Sequence, residues 1–172
     1  LMAGADTRAT ARALASAAEK LGPFDAVFCG CKAIDGETGQ VPGELAAALG
    51  LPCISNAEKV EAAGDELLVT RRLEDGVQNL TVSGSAVISF SSYSYPLRLA
   101  GILGMRRARK TPVEILTAAD LGLTPEDCGL KGSLTKVVAM ESRFPGLRRG
   151  PKETDLDAGV QNLRVLLREV RP

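Results

Sequence analysis

Apolar and polar positions follow two rhythms along this chain, and the change between them divides it. Ala9, Ala11, Ala13, Leu14, Ala15, Ala17 and Ala18 form an alanine-rich helical run. Asp6 or Thr7 offers the N-cap oxygen before it, and Gly22-Pro23 ends it. Phe24–Gly30 is a short apolar run closed by glycine, the pattern of a buried parallel strand. A polar, glycine-containing loop, Lys32–Gln40, precedes a second helix over about Gly43–Leu49, which Gly50 stops. Leu51–Ile54 is the next strand candidate. Helix, strand, loop, helix, strand is the grammar of an open parallel α/β sheet.

The rhythm then shortens. Glu58–Ala63, Glu66–Leu73 and Val77–Ser83 show partial period-two alternation, broken by Gly64-Asp65 and Asp75-Gly76. This predicts an antiparallel meander of about three strands. Ala86–Phe90 returns to a buried apolar strand. Arg98–Met105 reads as a helix on a Leu97, Ile102, Met105 face, with strands at Val113–Leu116 and Thr135–Met140 and connections between. Phe144–Thr154, with two prolines, two glycines and three basic residues, reads as a linker. Asp155–Val170 is an amphipathic helix with apolar residues at 156, 160, 163, 166, 167 and 170. Beyond an irregular arm, that face is placed to dock at a distance or on a partner. No internal repeat is evident.

Composition changes the picture mainly by exclusion. The 172 residues carry 21 Lys+Arg and 21 Asp+Glu, a formal net charge of zero. That argues against a general nucleic-acid binder, which carries a basic excess. There is no histidine, so Ser-His-Asp and Cys-His nucleophile systems and Cys/His zinc sites are ruled out. Binding or cofactor chemistry is the better reading, and no residue is assigned a catalytic or metal-ligating role. Cys29 and Cys31, in or beside an apolar run, read as structural thiols, since Cys29-Gly30-Cys31 lacks the spacing of a zinc knuckle or redox pair. Unpaired cysteines point to a reducing compartment, hence the cytoplasm. No run approaches the ~18 apolar residues of a membrane span, so no membrane insertion is expected. Leu1 opens almost directly on the first helix, and the front of a longer protein is expected to be missing.

Three segments carry candidate chemistry. Gly30–Ala46 (GCKAIDGETGQVPGELA) follows a buried strand, is rich in glycine and runs into a helix. Such a loop brings backbone N–H groups and a helix N-terminus close to an anion, at the strand end where open α/β sheets bind ligands. It is neither a Walker A nor a G-x-G-x-x-G sequence, and its spacing equally fits a long connection that holds nothing. The helix start Asp6-Thr7…Thr10 is a plain N-cap by spacing alone. Arg98, Arg106, Arg107, Arg109 and Lys110 form a basic block with no acid between Leu97 and Val113. It is a solvated face, a dock for an acidic partner or a hold on phosphates.

With these residues in view the chain resembles the β subunit of electron transfer flavoproteins. The likeness lies in AGADTRAT at Ala3–Thr10, GCKAIDGETGQVPGELAAALGLP at Gly30–Pro52, and LEDG at Leu73–Gly76. It continues in ARKTPVEI at Ala108–Ile115 and GLKGSLTKV at Gly129–Val137. The resemblance implies a Rossmann-like, adenine-nucleotide-hydrolase-type open, mostly parallel α/β sheet with a meander and a C-terminal arm and helix. Residues 1–143 would be the nucleotide-binding domain without its N-terminal part, and 144–172 the partner-docking arm and helix.

The resemblance also implies a site. Ala33, Asp35, Gly36, Glu37, Thr38, Gly39, Gln40, Val41, Pro42 and Gly43 would grip the phosphates of an adenine nucleotide, mainly through backbone N–H, with Thr7 and Thr10 as neighbours. That nucleotide is AMP in ordinary members and a second FAD, reduced by NADH, in electron-bifurcating members, which the AIDGET-Q and GLKGS-TKV runs resemble more. Ser91–Ile102 falls where the family recognises its redox partner, so Tyr95, Leu97 and Arg98, with Arg106 and Arg107, are partner-contact candidates. That partner would be an acyl-CoA dehydrogenase-like or other oxidoreductase, and the altered loop favours one unlike the common acyl-CoA dehydrogenases. Phe144–Val170 would reach over an α subunit, giving a heterodimer that carries electrons through FAD. The competing expectation is a universal-stress-protein-type nucleotide sensor without redox activity, which would need neither meander nor arm.

Overall fold

The structure, a computed structural model, describes residues 2–92, 94–139, 141 and 154–169. Leu1–Lys136 and Val137–Pro172 are separate compact units. The sequence-based boundary at 143/144 and most of the predicted linker lie outside the described residues.

In the first unit Asp6 caps helix α1 (Thr7–Leu21), its carboxylate accepting the Ala9 N–H at 2.9 Å. Strand β1 (Ala26–Gly30) and helix α2 (Val41–Leu49) follow. Next come β2 (Cys53–Ala63), β3 (Glu66–Leu73), β4 (Gly76–Ser83) and β5 (Ala86–Phe90). The five strands form one sheet in the order β1-β5-β2-β3-β4. β5 pairs in parallel with β1 and β2, and β2, β3 and β4 form the antiparallel meander. The predicted parallel core with an attached meander is therefore present.

Alternation along β5 serves two cores. Val87 faces Ala11 and Ala15 of α1 and Leu45 and Ala46 of α2. The small alanine faces let the two helices approach each other and the sheet closely. Ala86 and Ile88 turn the other way, into a cluster with Ile54, Ala57, Val69 and Val82 from the meander strands. Val87, Ile88 and Val69 are essentially inaccessible to water, and each contributes roughly 1.5–3 kcal/mol by burial. β1, by contrast, is the edge of the sheet among the described residues, and its Phe28 is 59% exposed.

Several element boundaries differ from the sequence-based expectation. Cys53 and Ile54 of the first predicted strand belong with Glu58–Ala63 to one long strand, β2, which absorbs the apparent break through a bulge between Ala57 and Lys59 and a positive φ (58°) at Asn56. Helix α3 is Ile102–Lys110, capped by Gly101, rather than 98–105. The turn before it wins no packing, because every residue of α3 is exposed. Residues 113–116 form no strand, as no neighbouring strand pairs with them. Residues 135–139 form none either, the Leu134 and Thr135 amides being bound to a side chain. Met140 and Val170 lie outside the described residues. Single 3₁₀ turns at Ala119–Leu121 and Pro125–Asp127 and the short helix α4 (Gly129–Gly132) complete this unit. The second unit contains helix α5 (Leu156–Glu169), with Leu156, Leu163, Leu166 and Leu167 exposed.

Candidate functional site

The glycine-rich loop leaves the end of β1 and enters α2, with residues 32–40 all exposed. It is not a slack connection. The Glu37 N–H donates to the Ala33 carbonyl at 3.0 Å, and Lys32 pairs with the Glu37 carboxylate at 3.0 Å. Gly39 sits at φ +64°, a left-handed conformation that a β-branched residue adopts only under strain. At the head of α2, Gln40 makes no side-chain cap and Pro42 occupies the first turn. The Val41 and Gly43 amides therefore have no capping side chain, at the positive end of the helix.

Packing of α1 against α2 brings their N-termini together. The Thr7 hydroxyl lies 3.3 Å from Gln40 Oε1 and 3.1 Å from Glu44 Oε1. One hydroxyl carries one proton, so it donates to the Glu44 carboxylate, and the Gln40 side chain is best oriented with its amide NH₂ toward Thr7. The other Glu44 oxygen is inaccessible and has no partner among the described residues. Thr10 lies one turn further along α1, half-buried. The structure thus brings Thr7 to Gln40 at the mouth of the 33–43 loop.

A strap over residues 117–135 lies along α1. It runs antiparallel to α1. Lys20 Nζ donates to the Asp120 carbonyl at 2.7 Å, Arg12 pairs with Asp127 at 2.6 Å, and Asp6 at the helix head holds the strap's end. There Asp6 Oδ2 accepts from the Leu134 N–H (2.8 Å), the Thr135 N–H (3.0 Å) and the Thr135 hydroxyl (3.1 Å). The Asp6 N–H donates to Ser133 Oγ at 2.8 Å, and the buried Ser133 hydroxyl lies 2.7 Å from the Gly129 carbonyl. The bond from Ala9 is the main force holding the Asp6 carboxyl below its ordinary value; burial works against it, and the Thr135 and Leu134 donors add to the lowering. Asp127 is lowered by the Thr124 amide and hydroxyl, with Arg12 beside it, and Asp120 by the Thr117 hydroxyl and amide. A side chain at Gly132 would overlap the Asp127 backbone, so the strap's turn requires glycine there.

Sequence reasoning took Asp6 for a plain cap and missed its second oxygen, together with Ser133, Thr135 and Glu44. The AGADT and GLKGSLTKV runs were the available signal, but roughly 127 positions of chain separate them, and no local periodicity says that they meet.

The basic segment is open. Leu97 and Leu99 are 84% and 86% exposed, and Arg98, Arg106 and Arg107 form no ion pair among the described residues. Tyr95 differs from its neighbours, because its hydroxyl is held by the Val60 backbone. Cys29 and Cys31 are half-buried rather than core, Cys53 is exposed and Cys128 buried, all unpaired. Burial raises the Cys29 and Cys53 thiols above their ordinary value. Among the described residues no group of three or more His, Cys, Asp and Glu could hold a metal ion, and no helix is long and apolar enough to cross a membrane.

Residues 1–121 match the family model described as the electron transfer flavoprotein domain. The chain belongs to the electron transfer flavoprotein family. Among its relatives in that family, the electron transfer flavoprotein subunit beta of Thermoanaerobacterium thermosaccharolyticum is 42% identical over 164 residues, covering 94% of this chain and 62% of that protein. The caffeyl-CoA reductase-Etf complex subunit CarD of Acetobacterium woodii is 34% identical over 134 residues, 78% of this chain and 51% of the relative. Protein FixA of Azorhizobium caulinodans is 36% identical over 163 residues, 90% and 57% respectively. The chain therefore spans about half to three-fifths of the length of these curated relatives.

Proposed function

We propose that this chain supplies the nucleotide-binding and partner-docking parts of an electron transfer flavoprotein β subunit, which carries electrons between oxidoreductases in a cytoplasmic heterodimer with an α subunit. The observation that carries this reading is the meeting of two helix N-termini, at Thr7 and Gln40, on an exposed glycine-rich loop at the end of a parallel strand. The uncapped Val41 and Gly43 amides at the positive end of α2 suit the phosphates of AMP or of a second FAD, and the head of α1 brings the Thr7 hydroxyl beside them. The loop from Ala33 to Gly43 would hold them, with backbone N–H groups as donors and the Lys32–Glu37 pair keeping one acid of the loop neutralised. Thr7 and Thr10 would stand beside the ligand, and the Asp6-bound strap would limit access of water.

When bound, a flavin supplies the redox chemistry, with NADH as donor where FAD fills this site. The chain's own task is to bind, orient and shield. The exposed run from Leu97 through Arg107 would dock the acyl-CoA dehydrogenase-like or other oxidoreductase through apolar contact and attraction to acidic groups. The apolar face of α5 would dock on the α subunit.

The test is to purify the complete β subunit with its α subunit, release the ligands by denaturation, and count flavin and AMP per heterodimer. Two flavins, or one flavin and one AMP, are the outcomes expected. Adenine nucleotide without flavin would overturn the reading in favour of a sensor module.

A further inference from the structure

β2 outlasts its neighbour. Its pairing with β5 ends at Ala57↔Phe90, yet the strand continues to Ala63 with β3 alongside on one side only. The chain leaving β5 folds back over this open edge. The Ser91 N–H donates to the Ala57 carbonyl at 3.0 Å, and the Ser94 hydroxyl lies 3.1 Å from the same oxygen. One step further on, the Tyr95 hydroxyl accepts from the Val60 N–H at 2.9 Å and lies 3.4 Å from the Val60 carbonyl, to which it donates. A single phenol thus meets both backbone groups of Val60, as an adjacent strand would. Its ring stands edge-on to Phe90, with centroids 5.7 Å apart, and Phe90 stands edge-on to Phe28 at 5.2 Å. Immediately beyond come Pro96 and the outward-facing Leu97, Arg98 and Leu99.

We propose that Tyr95 is a positioning residue: by standing in for the missing strand at Val60, it fixes the point from which the docking segment departs, rather than touching the redox partner itself. This rests on the docking reading above. Two contacts of different kind, the hydroxyl on β2 and the ring on β5, anchor Tyr95 to two strands of the sheet. Among the described residues, 97–110 make no comparable contact, so the direction in which the segment leaves is set at Tyr95.

The test uses the complete flavoprotein, with an acyl-CoA dehydrogenase as probe partner, and compares Tyr95→Phe with Leu97→Ser. Tyr95→Phe keeps the ring and removes the hydroxyl. Its expected effects are hydrogen exchange at the Val60 amide faster by about fivefold, and a KM for the dehydrogenase raised several-fold with kcat retained. Leu97→Ser is expected to raise KM and leave Val60 exchange unchanged. Val60 exchange unaltered in Tyr95→Phe would refute the latch. A KM raised by Leu97→Ser but not by Tyr95→Phe would refute the positioning role while leaving the docking reading standing. A KM moved by neither variant would overturn the docking reading, and the proposal with it.

Discussion

Asp6 joins the head of α1 to the end of the strap, and replacing it with asparagine separates those two jobs. Asparagine is as good an N-cap as aspartate, but it has one acceptor oxygen. If that oxygen keeps the Ala9 N–H, the amide NH₂ faces the Leu134 and Thr135 donors, and three bonds of 2.8–3.1 Å are lost. Hydrogen bonds to a charged group contribute roughly 1.5–3 kcal/mol each when counted singly. Sharing one oxygen at a partly wetted site lowers the total to about 2–3 kcal/mol. That is a large fraction of the roughly 5–15 kcal/mol that holds a domain together, and it corresponds to a fall in Tm of about 5–10 °C. Asp6→Ala loses the cap as well, about 1 kcal/mol more. Hydrogen exchange at Leu134 and Thr135 and the thermal midpoint measure these effects together. An asparagine variant with native protection at both amides would show that the clasp does not hold the strap.

The same clasp sets an acid limit. The folded Asp6, Asp120 and Asp127 carboxyls lie below the ordinary 3.8, so their contribution is complete above that value and is lost as pH falls through the lowered folded ones. Protection of the strap amides should therefore hold at pH 5 and be lost only as the pH falls below 3.8 through the lowered folded values; a loss beginning near neutrality would contradict the assignment. Gly39→Val should abolish binding of AMP or FAD with little change in Tm, since the left-handed backbone is confined to an exposed loop. Gly132→Ala forces the strap off its turn and should cost about 1–3 kcal/mol, read as a lower Tm with faster exchange at Thr135. Replacing Arg106 and Arg107 with glutamine should slow electron delivery to the partner and flatten its dependence on salt. Rates indifferent to both changes would return this face to plain solvation.

Sequence pattern succeeded where burial enforces it. The Ala-rich face of α1, the apolar β5 and the alternation of the meander all have a core to fill, so their spacing announces it. It failed where apolar residues stay exposed among the described residues: Leu97, Ile102 and Met105 mimic a buried helical face, and Val113 and Ile115 mimic a strand. At β2 the opposite error arose, because the bulge near Ala57 looks like a strand end when neighbouring strands are unseen. In the candidate site the loop was legible as a glycine-rich stretch between strand and helix, a local feature, whereas Thr7 read as a plain N-cap by spacing and entered only through the resemblance. The strap was not. Its hold on Asp6, Arg12 and Lys20 is assembled across more than a hundred residues by side chains with no distinctive spacing.

Among the described residues nothing pairs with the outer edge of β1, and this has a consequence for handling the protein. Ala26–Gly30 carries no lysine, proline or bulge, the devices by which edge strands repel one another, and it presents Phe28 to solvent. Such an edge is a template for adding a strand, and two copies that meet there gain a ladder of hydrogen bonds and an aromatic contact at once. A preparation of these 172 residues by themselves is thus prone to stacking at high concentration. Its solubility will fall with concentration for as long as that edge is uncovered.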